Sequence, residues 1–188
     1  MAKCKVSEGI EYDDGRAPEW DRPQSITDGR YAFVIADSVW ARRVRVEAEG
    51  YQPAISPIFR PGESDDAQAT FDFKLSKAAP ISGTILGPDG KPLANVEVYL
   101  AANPFTVNKG KPSYESRQRA RIARTDVAGR FELAPEVEPF YLVVLDDQGF
   151  ATVTEAEVAK NPRIQVKPWA DNKREFRVER SPYIGPRH

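Results

Sequence analysis

The sequence predicts an all-β fold in which antiparallel strands form a β-sandwich. Two observations carry this prediction. Sixteen prolines and twelve glycines interrupt the 188 residues at short intervals. Between these breaks lie short runs that alternate apolar and polar residues, the period of two that is typical of a half-buried strand. No long stretch shows the 3.6-residue period of an amphipathic helix.

The first half of the chain contains three strand-like runs, GRYAFVIA, RVRVEAEGY and ATFDFKL. Each alternates, so each predicts a strand with one face on a core and one face in solvent. In the second run, Val44 and Val46 point one way, while Arg43 and Arg45 point the other way. We therefore expect the two arginines to lie on the solvated face of their strand.

The second half predicts five further strands, in the runs ISGTIL, NVEVYL, GRFEL, PFYLVVLDD and RIQVKPW. PFYLVVLDD is apolar on both faces, which indicates a central strand. GPDGKPL lies between the first two runs, and Asp89 and Gly90 are residues that favour a tight turn. A phosphate-binding loop is excluded there, because Lys91 is followed by Pro92 and then by a strand instead of a helix.

Helical signals are short and local. TEAEVAKN predicts one or two turns, with Thr154 as N-cap and Glu157 three residues later, as in a capping box. PSYESRQRARIAR has helical character at its start and strand character at its end. The polar, turn-rich segment Asn103–Ser116 predicts a long loop, a kind of segment that is often functional or mobile.

A weak internal similarity predicts tandem domains. TDGRYAF, which begins at Thr27, is similar to TDVAGRFEL, which begins at Thr125, and a glycine followed by an aromatic residue comes after each, at Gly50 and Gly149. The period of about 100 residues is far above that of solenoid repeats, so it favours two small domains. We expect a divergent sandwich over residues 1–79, a second over 80–170, and a tail or further strand over 171–188, divided by the linker LSKAAP.

Charge and composition exclude several classes of protein. The net charge of −1 provides no positive surface for nucleic acid or an anionic membrane. No apolar run approaches the roughly 20 residues that span a bilayer. The first residues lack an apolar core, so no secretory signal is expected in the chain as given. Cys4 is the single cysteine, so no internal disulfide can form.

The distribution of titratable residues argues against an enzyme. The single histidine, His188, is the last residue, so a histidine-based triad or a zinc-hydrolase centre is not expected. Adjacent carboxylates in a strand point to opposite faces, which makes them poor general acid–base pairs. The pairs concerned are Asp13/Asp14, Asp65/Asp66 and Asp146/Asp147. We therefore expect no catalytic site, no cofactor and no metal.

The two turns and their strands together resemble the carboxypeptidase regulatory-like domain, also described as transthyretin-like or carboxypeptidase D regulatory. The resemblance covers about Pro80 to Val166, while the first part matches only over Thr27–Leu75, and Asn95 departs from the small residue usual at its position. The residues that carry it are Gly83, Asp89, Gly90, Pro92, Leu93, Val96, Val98, Thr125, Asp126, Gly129, Phe131, Leu133, Gly149 and Phe150.

The resemblance implies a sandwich of seven or eight antiparallel strands with Greek-key topology, prealbumin-like or Ig-like. Such modules follow zinc peptidase domains, precede outer-membrane receptors, or recur in large bacterial surface and envelope proteins. The zinc site of the peptidase needs two histidines and a glutamate. This chain has one histidine, so the peptidase itself is absent. Fold similarity alone does not confer a function.

Two functions remain open at this point. The first is a non-catalytic structural or interaction module, a spacer or accessory unit of a larger envelope-associated or extracellular protein. The second is a carbohydrate- or peptide-binding module, with a glycan or protein partner, that uses exposed aromatic rings. The candidate contacts are Trp20, Trp40, Tyr99 and Trp169. Rings gathered on one exposed face would favour binding, while buried or dispersed rings would favour the structural role.

Overall fold

A computed structural model describes residues 3–12, 18–34, 40–60, 70–102, 104–170 and 174–179. The described chain divides into two compact units. Unit 1 holds the chain up to Ala79 together with Ala134–Val137. Unit 2 holds Pro80–Leu133 and the chain from Glu138 onward. Both units are built mainly of antiparallel strands, so the predicted all-β fold is confirmed.

Unit 1 is one antiparallel sheet around two long strands. Its strands are β1 (Cys4–Glu11), β2 (Glu19–Trp20), β3 (Gln24–Ile26), β4 (Ala41–Ala48) and β5 (Ala54–Ile55). The order is β2-β1-β4-β5, and β3 also pairs with β1. β1 and β4 pair over their full length, from Cys4 opposite Ala48 to Glu11 opposite Ala41.

Two strands predicted for unit 1 do not form over the residues that the structure describes. Residues 30–34 of GRYAFVIA and residues 70–75 of ATFDFKL pair with no strand, and Ile35 lies outside the described residues. Tyr31, Phe33 and Phe73 nevertheless pack on the core of Val6, Val44 and Val46, whereas Phe71 is exposed. The alternation of these runs is therefore satisfied by packing against the sheet, without the hydrogen-bonded pairing that makes a strand.

The prediction that Arg43 and Arg45 are solvated is wrong. They are only 7% and 5% exposed, respectively. Arg43 lies 3.5 Å from a carboxylate oxygen of Glu11, and Arg45 contacts Glu47 and Glu136. An alternating pattern identifies the second face of a strand, but it does not show whether that face meets water or carboxylates.

Unit 2 contains the remaining elements. They are β6 (Ile81–Leu86), β7 (Glu97–Ala101), β8 (Phe105–Asn108), β9 (Lys111–Pro112), α1 (Tyr114–Arg119), β10 (Arg121–Arg124), β11 (Arg130–Leu133), β12 (Tyr141–Asp146), β13 (Gly149–Thr154), α2 (Glu155–Lys160), β14 (Arg163–Gln165), β15 (Lys167–Pro168) and β16 (Phe176–Val178). They form a five-stranded sheet, β10-β7-β12-β13-β15, and two three-stranded sheets, β11-β6-β14 and β16-β8-β9.

The main core of unit 2 lies between the five-stranded sheet and the sheet β11-β6-β14. Ile85 and Phe131 from the small sheet meet Val98, Leu142 and Val144 from the large one. This packing of two sheets across an apolar layer has the character of a β-sandwich. One pair departs from the antiparallel expectation, because β14 runs parallel to β6 after α2 has carried the chain from β13 to the other sheet.

The five-stranded sheet is covered on its second face as well. Val143 belongs to another cluster, with Phe105 and Val107 of β8. This explains why the β12 run is apolar on both faces, and β12 is the middle strand as predicted. The predicted long polar loop over Asn103–Ser116 is wrong, since β8, β9 and the start of α1 occupy residues 105–116, and Asn103 itself lies outside the described residues.

Several local predictions are confirmed. Thr154 and Glu157 form the capping box that starts α2, and α1 precedes β10 as the PSYESRQRARIAR run indicated. Gly90 has φ of +80°, and the Asp89 carboxylate accepts the backbone N–H of Lys91. In the part of the chain that the structure describes, neither helix has the length or apolarity to cross a bilayer.

Candidate functional site

An open groove of about 680 Å³ lies on unit 2. It extends over the sheet β11-β6-β14 and is bounded on one side by residues of β10. Its charged lining residues are Arg124, Asp126, Arg130, Glu132 and Arg163. The groove therefore combines three arginines with two carboxylates, and its chemistry depends on which of these charges are already paired.

Three side chains of the groove form a row across the sheet. Arg130 of β11 and Arg163 of β14 both lie opposite Thr84 of β6 in their registers. Residues directly opposite each other share a face of the sheet. Since neighbouring strands are about 4.8 Å apart, the two arginine Cα atoms lie about 10 Å apart. The Thr84 hydroxyl occupies the position between them.

Asp126 holds Arg130 in place. Its Oδ1 accepts the backbone N–H groups of Ala128 at 2.8 Å and of Arg130 at 2.9 Å, and its Oδ2 accepts the Arg130 Nε at 3.0 Å. These bonds, first that of the Arg130 backbone N–H, lower the pKa of Asp126. Asp126 therefore stays ionised, and only Nε of Arg130 is occupied among the described residues.

Arg163 has no carboxylate partner among the described residues, although its backbone N–H donates to Asn161 Oδ1 at 3.0 Å. Its side chain is exposed on the groove. Glu132 lies in the next row of the same face, opposite Ser82. The groove thus has a cationic row with Glu132 beside it and with Asp126 bound to Arg130.

Gly83 allows the chain before β14 to approach β6 closely. A Cβ at this position would lie 2.5 Å from the Pro162 carbonyl oxygen and 2.8 Å from Phe131 Cε1. That carbonyl accepts the Thr84 N–H at 2.8 Å. Any larger side chain would displace Pro162 and with it the start of β14, so the row of Arg130, Thr84 and Arg163 depends on this glycine.

The third arginine of the groove is already paired. Arg124 donates to Asn95 Oδ1 and to Glu97 Oε1, each at 2.9 Å. Glu97 also accepts Arg117 Nη1 at 2.6 Å and the hydroxyl of Tyr99. The hydrogen bonds from Arg117, more than any other cause, lower the pKa of Glu97 to about 2. Within the described ranges, this network leaves Arg163 and the terminal nitrogens of Arg130 as the cationic donors of the groove that have no carboxylate partner.

Two of the aromatic residues proposed from the sequence lie in unit 2. Tyr99 is 2% exposed and packs against Phe105, with 5.3 Å between ring centroids. Trp169 is half-buried against the same cluster, stacks on Phe150 at 4.7 Å, and donates Nε1–H to the Asp146 carbonyl. The structure brings Tyr99 and Trp169 to one cluster, where their rings contact other protein groups.

The other two aromatic residues lie in unit 1. Trp20 is half-buried, and the Arg45 guanidinium lies 5.9 Å from its ring centroid. Trp40 is 46% exposed and is tilted at 60° to the ring of Tyr12, 5.5 Å away. Of the four rings, only Trp40 presents a large exposed area.

The arginine row was not found from the sequence. Alternation does place Arg130 and Glu132 outward on GRFEL, and Arg163 precedes the apolar Ile164. These patterns do not specify the strand register. Only the pairing of β6 with both β11 and β14 brings Arg130 and Arg163 to opposite sides of Thr84. The parallel pair arises after α2, and no short-range signal specifies it.

No group of three or more His, Cys, Asp or Glu side chains forms a metal-binding cluster in the described ranges. The pairs Asp13/Asp14 and Asp65/Asp66, and His188, lie outside those ranges. Comparison with protein-family models, with curated proteins and with solved structures finds no match for this chain. The chemistry of the groove has to be inferred from its own residues.

Proposed function

We propose that this chain is a non-catalytic interaction module, a β-sandwich unit of a larger envelope-associated or extracellular bacterial protein. It binds a partner and leaves that partner chemically unchanged. One observation carries the proposal. The carboxylates at and beside the groove are held in ion pairs, Asp126 with Arg130 and Glu97 with Arg117 and Arg124, and these contacts lower the pKa of both carboxylates.

Proton transfer at neutral pH favours the opposite arrangement. A general acid or base works best when its pKa lies near the operating pH, so active sites raise the pKa of carboxylates and lower that of lysines. Here the carboxylate of Glu97, with a pKa of about 2, and that of Asp126 remain ionised in ion pairs. Such groups orient arginines and connect strands, which suits a binding or structural module.

The residues that resemble the carboxypeptidase regulatory-like domain support the same proposal, because their contacts are structural. The buried Thr125 hydroxyl accepts the Val96 N–H at 2.9 Å and donates to the Leu93 carbonyl at 2.8 Å. Gly129 has φ of +73°, and a Cβ there would lie 2.6 Å from the Ile85 carbonyl oxygen. These residues connect β6, β7 and the β10–β11 turn without forming a reactive centre.

Peptide and glycan arrays probed with the intact protein test the proposal. We expect saturable binding of one ligand class, with the ligand recovered unchanged when its mass is measured after prolonged incubation. Cleavage or modification of the ligand would show that the module is an enzyme. The absence of any ligand would reduce the function to that of a spacer.

The carbohydrate-binding alternative is favoured by one observation, the exposed ring of Trp40 beside Tyr12. A tryptophan face can stack on a sugar ring. If unit 1 binds glycans, Trp40→Ala will abolish binding on the array, while Tyr114→Ala, at an exposed tyrosine of unit 2, will not. Equal binding by the wild type and by Trp40→Ala would exclude this site.

A further inference from the structure

We infer that the groove on unit 2 binds an extended acidic peptide segment of a partner protein, whose carboxylates pair with Arg163 and with the free edge of Arg130. The inference rests on the proposed function, because it names the partner chemistry of the interaction module. It depends on three features, namely the unpaired guanidinium donors, the edge strands that bound the groove, and the apolar surface between them.

The unpaired donors favour a carboxylate ligand. An arginine presents five N–H donors in a planar fork that matches a carboxylate with two parallel hydrogen bonds. Arg163 has no acidic partner among the described residues, and Arg130 is held through Nε alone, so both terminal nitrogens of Arg130 can reach a ligand. The Thr84 hydroxyl between them can donate or accept a further hydrogen bond.

The edge strands favour a peptide over a glycan. β10 is an edge of the five-stranded sheet, and β11 and β14 are the two edges of the sheet β11-β6-β14. Within the described ranges, no strand pairs with their second edges, although at Arg130 the Asp126 side chain already accepts the backbone N–H and the Asp126 backbone N–H donates to the C=O. An edge strand presents a row of N–H and C=O groups to which an extended chain can add. A sugar chain cannot use that repeating pattern.

The charge of these edges selects among peptides. Each edge strand that bounds the groove carries an arginine at the groove, namely Arg124 on β10, Arg130 on β11 and Arg163 on β14. Basic side chains on edges repel other basic strands, and they disfavour pairing with an apolar strand because that pairing would bury their charge. They attract an acidic strand, so the same arginines that protect the edges from other strands favour an acidic peptide.

The distance between Arg130 and Arg163 limits which positions of the bound peptide can be acidic. Side chains two apart in an extended peptide lie on one face, about 6.8 Å from each other. Two long, flexible arginine side chains whose Cα atoms are about 10 Å apart can converge on such a pair. Glu132, in the adjacent row, disfavours a third acid on that side. Between the charged positions, the exposed Pro162 and the half-buried Ala123 offer apolar surface to the intervening side chains.

Fluorescence anisotropy tests this with the full chain and a short, capped, labelled peptide of alternating Thr and Glu. We expect saturable binding that weakens with added salt, and no binding of the matched Thr–Lys peptide. Arg163→Glu should weaken binding at least about tenfold, because a charge-assisted bidentate contact is replaced by repulsion. Arg163→Gln, which keeps the side-chain length, should give an intermediate loss.

Arg177→Glu is the matched control. Arg177 is an exposed arginine of β16 that pairs with Glu179, away from the groove, so its reversal should leave the peptide affinity unchanged. Circular dichroism of each variant establishes that the fold is intact. In hydrogen exchange, bound peptide should protect amides of β10 or β11 in the wild type but not in Arg163→Glu.

Three results would overturn the inference. They are no saturable binding of the Thr–Glu peptide, an equal loss in Arg163→Glu and Arg177→Glu, and binding of polygalacturonate that requires Arg163 while the peptide does not bind. The third result would identify an acidic glycan as the ligand. If the Thr–Glu peptide does not bind but Arg163→Glu still binds an array ligand, the groove is excluded while the proposed function remains intact, so the two failures are distinguishable.

Discussion

Arg45 of unit 1 and Arg117 of unit 2 each contact both carboxylate and aromatic groups, but the two arginines differ in burial. Arg45 of unit 1 binds Glu47 and Glu136 and lies 5.9 Å from the Trp20 ring centroid. Arg117 of unit 2 binds Glu97 and lies 5.9 Å from the Tyr99 ring centroid. The Arg45 side chain is 6% exposed, whereas that of Arg117 is 45% exposed.

The ratio of arginines to carboxylates in these two networks is also reversed. In unit 1 one arginine serves two carboxylates, while in unit 2 the single carboxylate of Glu97 serves two arginines, Arg117 and Arg124. Burial alone would lower the pKa of Arg45, but the charges of Glu136 and Glu47 outweigh it and raise that pKa. Similar sets of contacts therefore contribute differently to the free energy of unfolding, since a buried charge that loses its partner is not solvated by water in its place.

The largest effect is expected for Arg45→Ala. Removal of this guanidinium leaves the carboxylate of Glu136, itself only 4% exposed, buried without its bidentate partner. Breaking a buried pair in this way costs about 3–5 kcal/mol of the free energy of unfolding. Hydrogen exchange followed by mass spectrometry should show faster exchange in β1 and β4 of unit 1.

The matched control is the double variant Arg45→Met with Glu136→Gln, which removes the charges while keeping most of the volume. It should recover much of the stability lost in Arg45→Ala, because neither charge of the broken pair remains buried. If the amides of Arg45→Ala exchange as slowly as those of the wild type, the buried ion pair of Arg45 does not contribute to stability. Arg45 and Arg117 would then not differ in this respect.

A smaller effect, with a specific pH dependence, is expected for Glu97→Gln. The pKa of Glu97 is lowered from 4.5 to about 2, first by the hydrogen bonds from Arg117. Its contribution to stability is therefore complete above pH 4.5 and is lost as the pH falls from 4.5 towards 2. Because both arginines are exposed to water, we expect it to be about 1 kcal/mol.

Urea unfolding of unit 2 between neutral pH and pH 2, followed by hydrogen exchange in β7 and β12, measures this contribution. The wild type should lose stability in that acidic window, and the difference from Glu97→Gln should shrink as the pH falls. A difference that stays constant down to pH 2 would assign the effect of the substitution to packing instead of charge.

The local parts of the fold could be predicted from the sequence. The capping box at Thr154, the Gly90 turn and the central position of β12 each depend on residues adjacent along the chain. The runs around Phe33 and Phe73 also revealed apolar faces that reach the core, but whether an extended run joins a sheet depends on a partner strand elsewhere. That partner is a long-range property.

The groove could not be predicted, for the same reason. Arg130 and Arg163 were visible as polar residues at the start of strands, but their common row requires the registers of β11 and β14 on β6. The aromatic candidates show the converse problem. Tyr99 and Trp169 have the residue types of a binding site, and only tertiary packing shows that Phe105 and Phe150 contact their rings.

The smallest effect is expected for Arg117→Ala, the direct counterpart of Arg45→Ala. Glu97 would keep its bonds to Arg124 and Tyr99, and its carboxylate would remain in contact with water. Exposed ion pairs of this kind contribute little, and Glu97 keeps part of its stabilisation through Arg124 and Tyr99, so the urea midpoint of unit 2 at neutral pH should fall by less than in Glu97→Gln. A loss comparable to that of Arg45→Ala would mean that the number of contacts, and not burial, sets the weight of these arginines.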